Sequence, residues 1–250
     1  MPNELITASS RELATELTAY DEKMLSVFEY LGLPTNNILV KVDERRKVFK
    51  NIEDVLEPLS SETLETSTYI SKFLSAVSAG LFDAALNYLW DETVSQLRFR
   101  VSQYDIQYFF DLAVTSDKRT KLSTEDDLVK IDDSELIQGA KEIGLISDIG
   151  YRLLDNIKFM RNWASAAHPN QVELTGLQLI DWLETCIKEV ISLPLSNLTI
   201  QIGKLLRNIK TNTLDEAEAE TISNFFCELT SEKANSLCNG FFGIYCRIDT

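Results

Sequence analysis

The chain has 250 residues, 44% of them hydrophobic, which is enough to bury a core in one large domain or two small ones. Its 39 acidic and 24 basic side chains give a net charge of −15, which excludes broad nucleic-acid binding by a basic surface but leaves room for a small basic pocket. Nine glycines and five prolines are few for an all-β fold with many turns.

The N-terminal sequence, the lengths of the apolar runs and the cysteines indicate the cellular compartment. The N-terminus has no basic-then-apolar signal peptide, and no apolar run reaches the roughly 20 residues of a membrane-spanning helix. We therefore expect a soluble cytoplasmic protein with no membrane contact. No cysteine belongs to a C-x-x-C pair, and a single histidine does not favour a zinc site. We expect all four cysteines to pack as free thiols in the core: Cys186, Cys227, Cys238 and Cys246.

Apolar spacing predicts helices from the start of the chain. The first runs from Arg11 to Leu31 and ends at the GLP of 32–34. Another begins at Asp43 and ends at Pro58, and we interpret its ERRK cluster as a solvated face. Between these helices, Ile38 to Val42 is the one short run with strand-like character.

A long helical region begins at Ser61, reaches Gly80 and resumes in LFDAALNYLWDETVSQLRFRV. Asp91 and Glu92 lie at its centre, but adjacent helical positions diverge by about 100°, so the two carboxylates cannot act on one group. A solvated or ion-paired role is the better interpretation. The aromatic segment 104–112 could form a base-stacking platform, but its acidic neighbours favour buried aromatics.

The remaining segments also predict helices. Polar residues 116–121 indicate a loop, and 123–127 contain a capping box for a short helix. Another helix covers 134–143 and is ended by Gly144. We therefore predict an all-α fold, an antiparallel helical bundle with additional helices at both ends. Its last helical segments are 171–194, 196–210, 214–229 and an apolar 234–248 that docks on the domain or on a partner.

The central helix is predicted from Asp148 to Asn170, with Ser147 as its N-cap. Arg161 and His168 are seven residues apart, close to two turns, so they share one face. Pro169 disfavours helical geometry at His168 and places the imidazole near the helix end. An apolar stripe is predicted at Ile149, Leu153, Ile157, Met160, Ala164 and Ala167, edged by Lys158, Arg161, Ser165 and His168.

This edge permits two interpretations. In the structural one, Arg161 forms a surface ion pair and His168 caps the helix by bonding free carbonyls. In the chemical one, a cation, a hydroxyl and a titratable ring act on a bound molecule. The Arg-Asn dipeptide also occurs at Arg207–Asn208 with no histidine after it, so the dipeptide alone is a weak signal.

The residues Arg161, Asn162 and His168, ahead of Pro169-Asn170, resemble the R-x(4–6)-H motif of HEPN domains in its six-residue version. The segment GLFDAALNYLW, with Gly80, Ala84, Ala85 and Trp90, also resembles the first long HEPN helix. The resemblance covers about residues 61–194. It divides the chain into an N-terminal extension (1–60), a HEPN-like helical domain (61–194) and a C-terminal extension (195–250).

The resemblance implies a metal-independent endoribonuclease without a cofactor, often a toxin or an antiviral (abortive-infection) effector, that dimerises through the motif helices. Its implied catalytic residues are Arg161, Asn162 and His168, with Lys158 and Ser165 contacting the RNA substrate. RNA carries its own nucleophile, the 2′-OH, so cleavage should leave a 2′,3′-cyclic phosphate and a 5′-hydroxyl. A protein partner or inhibitor is also compatible with the family.

Two alternatives stay open. The chain could be a non-catalytic HEPN-like dimerisation or scaffold component of a larger defence or toxin–antitoxin complex, which its acidity and apolar last helix favour. It could also be an all-α interaction protein in which the motif is accidental.

Overall fold

The computed structural model describes residues 10–104, 106–164 and 173–192, with single positions between residues 220 and 242. Within these ranges the protein is all-α, as predicted, and contains no strand. No helix among the described residues has both the length and the apolar character needed to cross a membrane. The α-helices are α1 (Ser10–Tyr30), α2 (Val42–Leu56), α3 (Ser61–Thr66), α4 (Thr68–Ser78), α5 (Phe82–Ser102), α6 (Ile106–Ala113), α7 (Ser116–Arg119), α8 (Asp133–Glu142), α9 (Asp148–Ala164) and α10 (Gly176–Cys186).

Local capping chemistry fixes many of the helix ends. At the end of α1, the N–H of Gly32 bonds to the carbonyl of Glu29 and the N–H of Leu33 to that of Phe28, at 3.0 and 2.8 Å. This pair of bonds needs a left-handed residue, and Gly32 has φ of 73°. Short helical turns of other types occupy Glu125–Lys130 (3-10) and Ile187–Ile191 (π).

The strand-like run before α2 is not a strand. Residues 38–41 have no regular secondary structure, and Val42 already belongs to α2. The backbone of Val40 is satisfied in another way, because its N–H donates to the carbonyl of Gly80 at 2.9 Å and its carbonyl accepts from Nε of Arg45 at 2.7 Å. A strand needs a neighbouring strand for these bonds, and the described residues offer none.

The polar segment after α6 is also more regular than expected. Residues 116–121 were expected to form a loop, but Ser116–Arg119 form the single helical turn α7. Arg119 explains the order, because its Nη1 donates to the carbonyl of Leu122 at 2.6 Å and its Nη2 to Oε1 of Gln107 at 2.6 Å. The capping box that follows is confirmed, with Thr124 and Asp127 as its two members.

The chain divides into two compact units, one of Met1–Val94 with Asn156–Ser192 and the other of Ser95–Asp155 with Leu193–Thr250. Two of the three division points fall inside helices, so α5 and α9 each contribute residues to both units. The division at residues 60 and 194 follows the family resemblance and stays a prediction.

The first unit is held by close contact between α2 and α10. A Cβ on Gly176 would lie 2.0 Å from the carbonyl oxygen of Glu44, so only glycine allows this approach. The N–H of Gly176 also donates to Oε2 of Glu44 at 2.9 Å. The core of this unit consists of buried apolar side chains, among them Val48, Phe73, Val77, Leu86, Leu89, Trp90, Ile157, Leu179, Leu183 and Ile187.

The second unit is built on α6 against α8. A Cβ on Gly139 would lie 2.6 Å from Cε2 of Phe109 and 2.6 Å from Cβ of Ala113, which again requires glycine at the contact. The aromatic residues of 104–112 are buried as predicted, which excludes them as a base-stacking surface. The buried aromatics are Tyr104, Tyr108, Phe109 and Phe110.

Two charged residues that the sequence places on solvated surfaces are buried. Arg45, in the ERRK cluster, has 0% of its surface exposed and pairs with Asp21. Glu92 is 3% exposed and accepts a hydrogen bond from Oγ of Ser67 at 3.3 Å. The solvated interpretation is therefore wrong at both positions, because residues distant in sequence bring polar partners to these side chains. The ion-paired role that the sequence also allows at Glu92 stays a prediction.

The two cysteines in the described part of the chain differ in burial. Cys186 is fully buried, as predicted, and burial raises the pKa of its thiol to about 12 against a small opposing effect of a hydrogen bond with Thr93. Cys238 is exposed, so the prediction of a core position is wrong there. Its neighbours in sequence include Ser236 and Asn239, which suit a surface. Cys227 and Cys246 lie outside the described residues.

Candidate functional site around Arg161

Arg161 lies in the last turn of α9 and is half-buried. Its Nε donates to Oδ1 of Asn87 on α5 at 2.9 Å. Its Nη1 donates to Oδ1 of Asn162 at 3.1 Å. Two side-chain amides therefore hold the guanidinium, one from another helix and one from the next residue of the same helix. Nη2 takes part in neither bond.

The chemical type of these acceptors distinguishes Arg161 from two other arginines of the chain. Arg45 pairs with the carboxylate of Asp21, and Arg119 pairs with the carboxylate of Asp111. A carboxylate compensates the charge of a guanidinium, whereas an amide satisfies an N–H and leaves the charge in place. Its two amide acceptors, Asn87 and Asn162, therefore make Arg161 suited to an anionic ligand.

Asn87 is the member of the site that the sequence does not predict. Besides accepting from Arg161, its Nδ2 donates to the carbonyl of Asp83 one turn earlier on α5, at 2.9 Å. The signal that could have found it is its type, since a single amide stands in the otherwise apolar segment AALNYLW. Its partner, however, is 74 residues away and cannot be read from that segment.

Of the five predicted site residues, the structure places three. Arg161 and Asn162 are in contact, and Lys158 lies one turn earlier on α9 with its side chain half-buried. Ser165 and His168 lie outside the described residues, so their juxtaposition with Arg161 stays a prediction. Within the described part of the chain, the side-chain contacts of Arg161 are with two amides and not with the carboxylate of the structural interpretation.

The buried side of α9 differs from the predicted stripe. Gly150, Leu154 and Ile157 are buried, whereas Ile149 and Leu153 are 72% and 42% exposed. A spacing of three or four residues is compatible with a buried face through Leu153 or through Leu154. The burial of Leu154 shows which of the two faces packs into the core. Of the other members, Met160 and Ala164 are half-buried, and Ala167 lies outside the described residues.

An aromatic pair occupies the exposed side of the same helix. Phe159 is 53% exposed and Trp163 is 36% exposed, and their ring centroids are 5.7 Å apart. Both positions lie two residues from Arg161, which places them about 160° around the helix from it. The last turns of α9 therefore present a cation on one side and an exposed apolar pair on the other.

No family model matches the chain, and neither a curated protein nor a solved structure is similar to it. Among the described residues, no group of three or more His, Cys, Asp or Glu side chains is arranged to hold a metal ion. The geometry around Arg161 is thus the basis on which a function can be argued.

Proposed function

We propose that this protein is a metal-independent endoribonuclease of the HEPN type, a toxin or antiviral effector that acts as a homodimer. The observation that carries the proposal is the environment of Arg161, whose guanidinium is held by the neutral amides of Asn87 and Asn162. These bonds fix the side chain and keep its positive charge for a phosphate.

The chemistry requires proton transfer and charge stabilisation. The 2′-oxygen of RNA attacks the adjacent phosphorus, the bond from phosphorus to the 5′-oxygen breaks, and a cyclic phosphate and a 5′-hydroxyl result. A neutral His168 accepts the 2′-OH proton, and a protonated His168 from the second copy donates to the 5′-oxygen. Arg161 stabilises the negative charge that develops on the phosphate oxygens. Lys158 and Ser165 contact the RNA.

The dimer completes the site because one copy holds a single histidine. Two-fold pairing brings two arginines and two histidines to one cleft. The exposed Phe159 and Trp163 lie on the other side of α9 from Arg161, so this cleft would form on the side of Arg161 and not through the aromatic pair.

The proposal is tested with full-length protein and a single-stranded RNA labelled at both ends, in the presence of EDTA. His168→Ala should lower the cleavage rate by about 10²–10⁴-fold, as expected for loss of an acid–base group. Arg161→Ala should lower it by about 10²–10³-fold. Lys188→Ala is the matched control, since this exposed lysine of the same unit pairs with Glu184.

The products separate this reaction from contamination. Mass spectrometry should find a 2′,3′-cyclic phosphate and a 5′-hydroxyl, and both should disappear with His168→Ala. Cleavage that persists in that variant, or that requires Mg²⁺, would refute the proposal.

A scaffold is the second candidate, favoured by the exposed aromatic pair and the net charge of −15. In that case His168→Ala leaves the biological effect unchanged, whereas Trp163→Glu removes it and dissociates the assembly in light scattering. Ile157 is unsuited to this test, because it is 1% exposed and a charge there would unfold the protein.

A further inference from the structure

Asn87 has both ends of its amide committed. Oδ1 accepts from Nε of Arg161 at 2.9 Å, and Nδ2 donates to the carbonyl of Asp83 at 2.9 Å. The second bond is an internal bond of α5, so it anchors the amide to a long helix. The direction of Oδ1, and with it the position of Nε, is therefore set by α5.

We propose that Asn87 is a positioning residue for Arg161, which holds the guanidinium at Nε without neutralising it so that the terminal nitrogens can bind a backbone phosphate of single-stranded RNA. This inference rests on the proposed function and adds a residue to its site. Asn162 occupies one N–H of Nη1, and Nη2 belongs to neither amide contact. The two terminal nitrogens of the guanidinium, Nη1 and Nη2, thus form the edge that binds a phosphate in this proposal.

The neutrality of Asn87 is the property that a purely structural contact would not need. A carboxylate at this position would give a stronger, charge-assisted bond and a firmer tie between α5 and α9. The chain uses carboxylates for this purpose at Arg45 and Arg119. Arg161 is instead held by an amide, so its guanidinium keeps the positive charge that attracts an anion.

Asn87→Asp distinguishes a purely structural contact from a contact that preserves the charge of Arg161. The substitution keeps the shape of the side chain and the acceptor oxygen but adds a negative charge. The chain offers a matched control in Asn51, whose Nδ2 donates to the carbonyl of Lys47 one turn earlier at 2.7 Å. Asn51→Asp loses the same kind of intrahelical bond and adds the same charge to the same unit, but on α2 rather than on α5. Asn87→Ala removes the positioning contact and leaves the charge.

The experiment uses the full chain and measures binding separately from cleavage. The binding probe is a fluorescent single-stranded 2′-O-methyl RNA, which has the backbone phosphates but lacks the attacking hydroxyl. Cleavage of the unmodified RNA gives kcat and KM, and thermal unfolding of every variant reports its fold.

Asn87→Asp should weaken binding of the probe about tenfold or more, the equivalent of one charge-assisted contact, and lower kcat/KM at least as much. Its melting temperature should match that of Asn51→Asp, whose binding should equal that of the wild type. Asn87→Ala should lower kcat more than it changes KM, and it carries the test if Asn87→Asp fails to fold.

Three results would overturn the inference: a wild-type protein that does not bind the probe, Asn87→Asp and Asn87→Ala that act like the wild type, or Asn51→Asp that is impaired to the same extent. Binding that depends on Asn87 without any cleavage of RNA has a different meaning. It supports the role of Asn87 in holding Arg161 for a phosphate and refutes the endoribonuclease proposal.

Discussion

The guanidinium of Arg45 occupies the space that a side chain at Gly80 would need. A Cβ on Gly80 would lie 2.9 Å from both Cζ and Nη2 of Arg45. The same guanidinium donates from Nη1 to the carbonyl of Ser78 at 3.0 Å and from Nε to that of Val40 at 2.7 Å. The end of α4 and the segment before α2 are therefore joined through one buried arginine.

Gly80→Ala should destabilise the protein for two reasons. The φ of 72° is unfavourable for alanine by about 1–2 kcal/mol, and the contact with Arg45 adds about 1–3 kcal/mol of overpacking. Gly32→Ala is the control, because Gly32 has φ of 73° but nothing within 4 Å of its Cβ position. Urea unfolding of both variants measures the difference, and equal losses would mean that the arginine gives way.

Asp21→Ala should lower the free energy of unfolding by about 3 kcal/mol, because it leaves Arg45 buried without its carboxylate. The double variant Asp21→Ala with Arg45→Met should lose less than Asp21→Ala alone, since it removes the unpaired charge. Glu184→Ala, which breaks the exposed pair with Lys188, should cost about 0.5 kcal/mol or less. Similar losses for Asp21→Ala and Glu184→Ala in urea unfolding would contradict the burial of the Arg45 pair.

The parts of the fold that depend on local sequence could be predicted. Gly32 ends α1 because a left-handed residue is needed there, and the Thr124–Asp127 capping box starts a helical turn because both partners lie within four residues. The burial of Phe109 and Phe110 follows from their apolar surface alone. These signals need no knowledge of distant residues.

The parts that depend on distant partners could not be predicted. Arg45 is buried because Asp21, 24 residues earlier, reaches it, and nothing in the ERRK cluster indicates this contact. The helical position of Arg161 was predictable from the periodicity, but its acceptor Asn87 belongs to another helix and lies 74 residues away in sequence. For the same reason the periodicity of α9 permitted two buried faces, and packing selected the one with Leu154.

Glu44 should make folding stability depend on pH in the acidic range. Its hydrogen bond from Lys47 and the backbone N–H of Gly176 lower the pKa of the carboxyl below its usual value, against an opposing effect of desolvation. A folded pKa below the unfolded one gives stability that is present above the unfolded value, about 4.3, and is lost as the pH falls through the folded value. Urea unfolding between pH 7 and pH 3 should show a smaller loss for Glu44→Gln than for the wild type. Parallel pH profiles for the two proteins would show that this carboxyl is not linked to folding.

Cys186 and Cys238 should differ sharply in their reaction with iodoacetamide. Only the thiolate reacts, and burial raises the pKa of Cys186 to about 12, so at pH 8 almost none of this thiol is ionised or accessible. Cys238 is exposed and should be alkylated readily in the native protein. Peptide mapping by mass spectrometry should therefore find Cys238 modified within minutes and Cys186 protected until urea unfolds the first unit. Early modification of Cys186 in native buffer would show that α10 separates from the core without global unfolding, and Cys186→Ala, which leaves only a small cavity, provides the control for assigning the peptide.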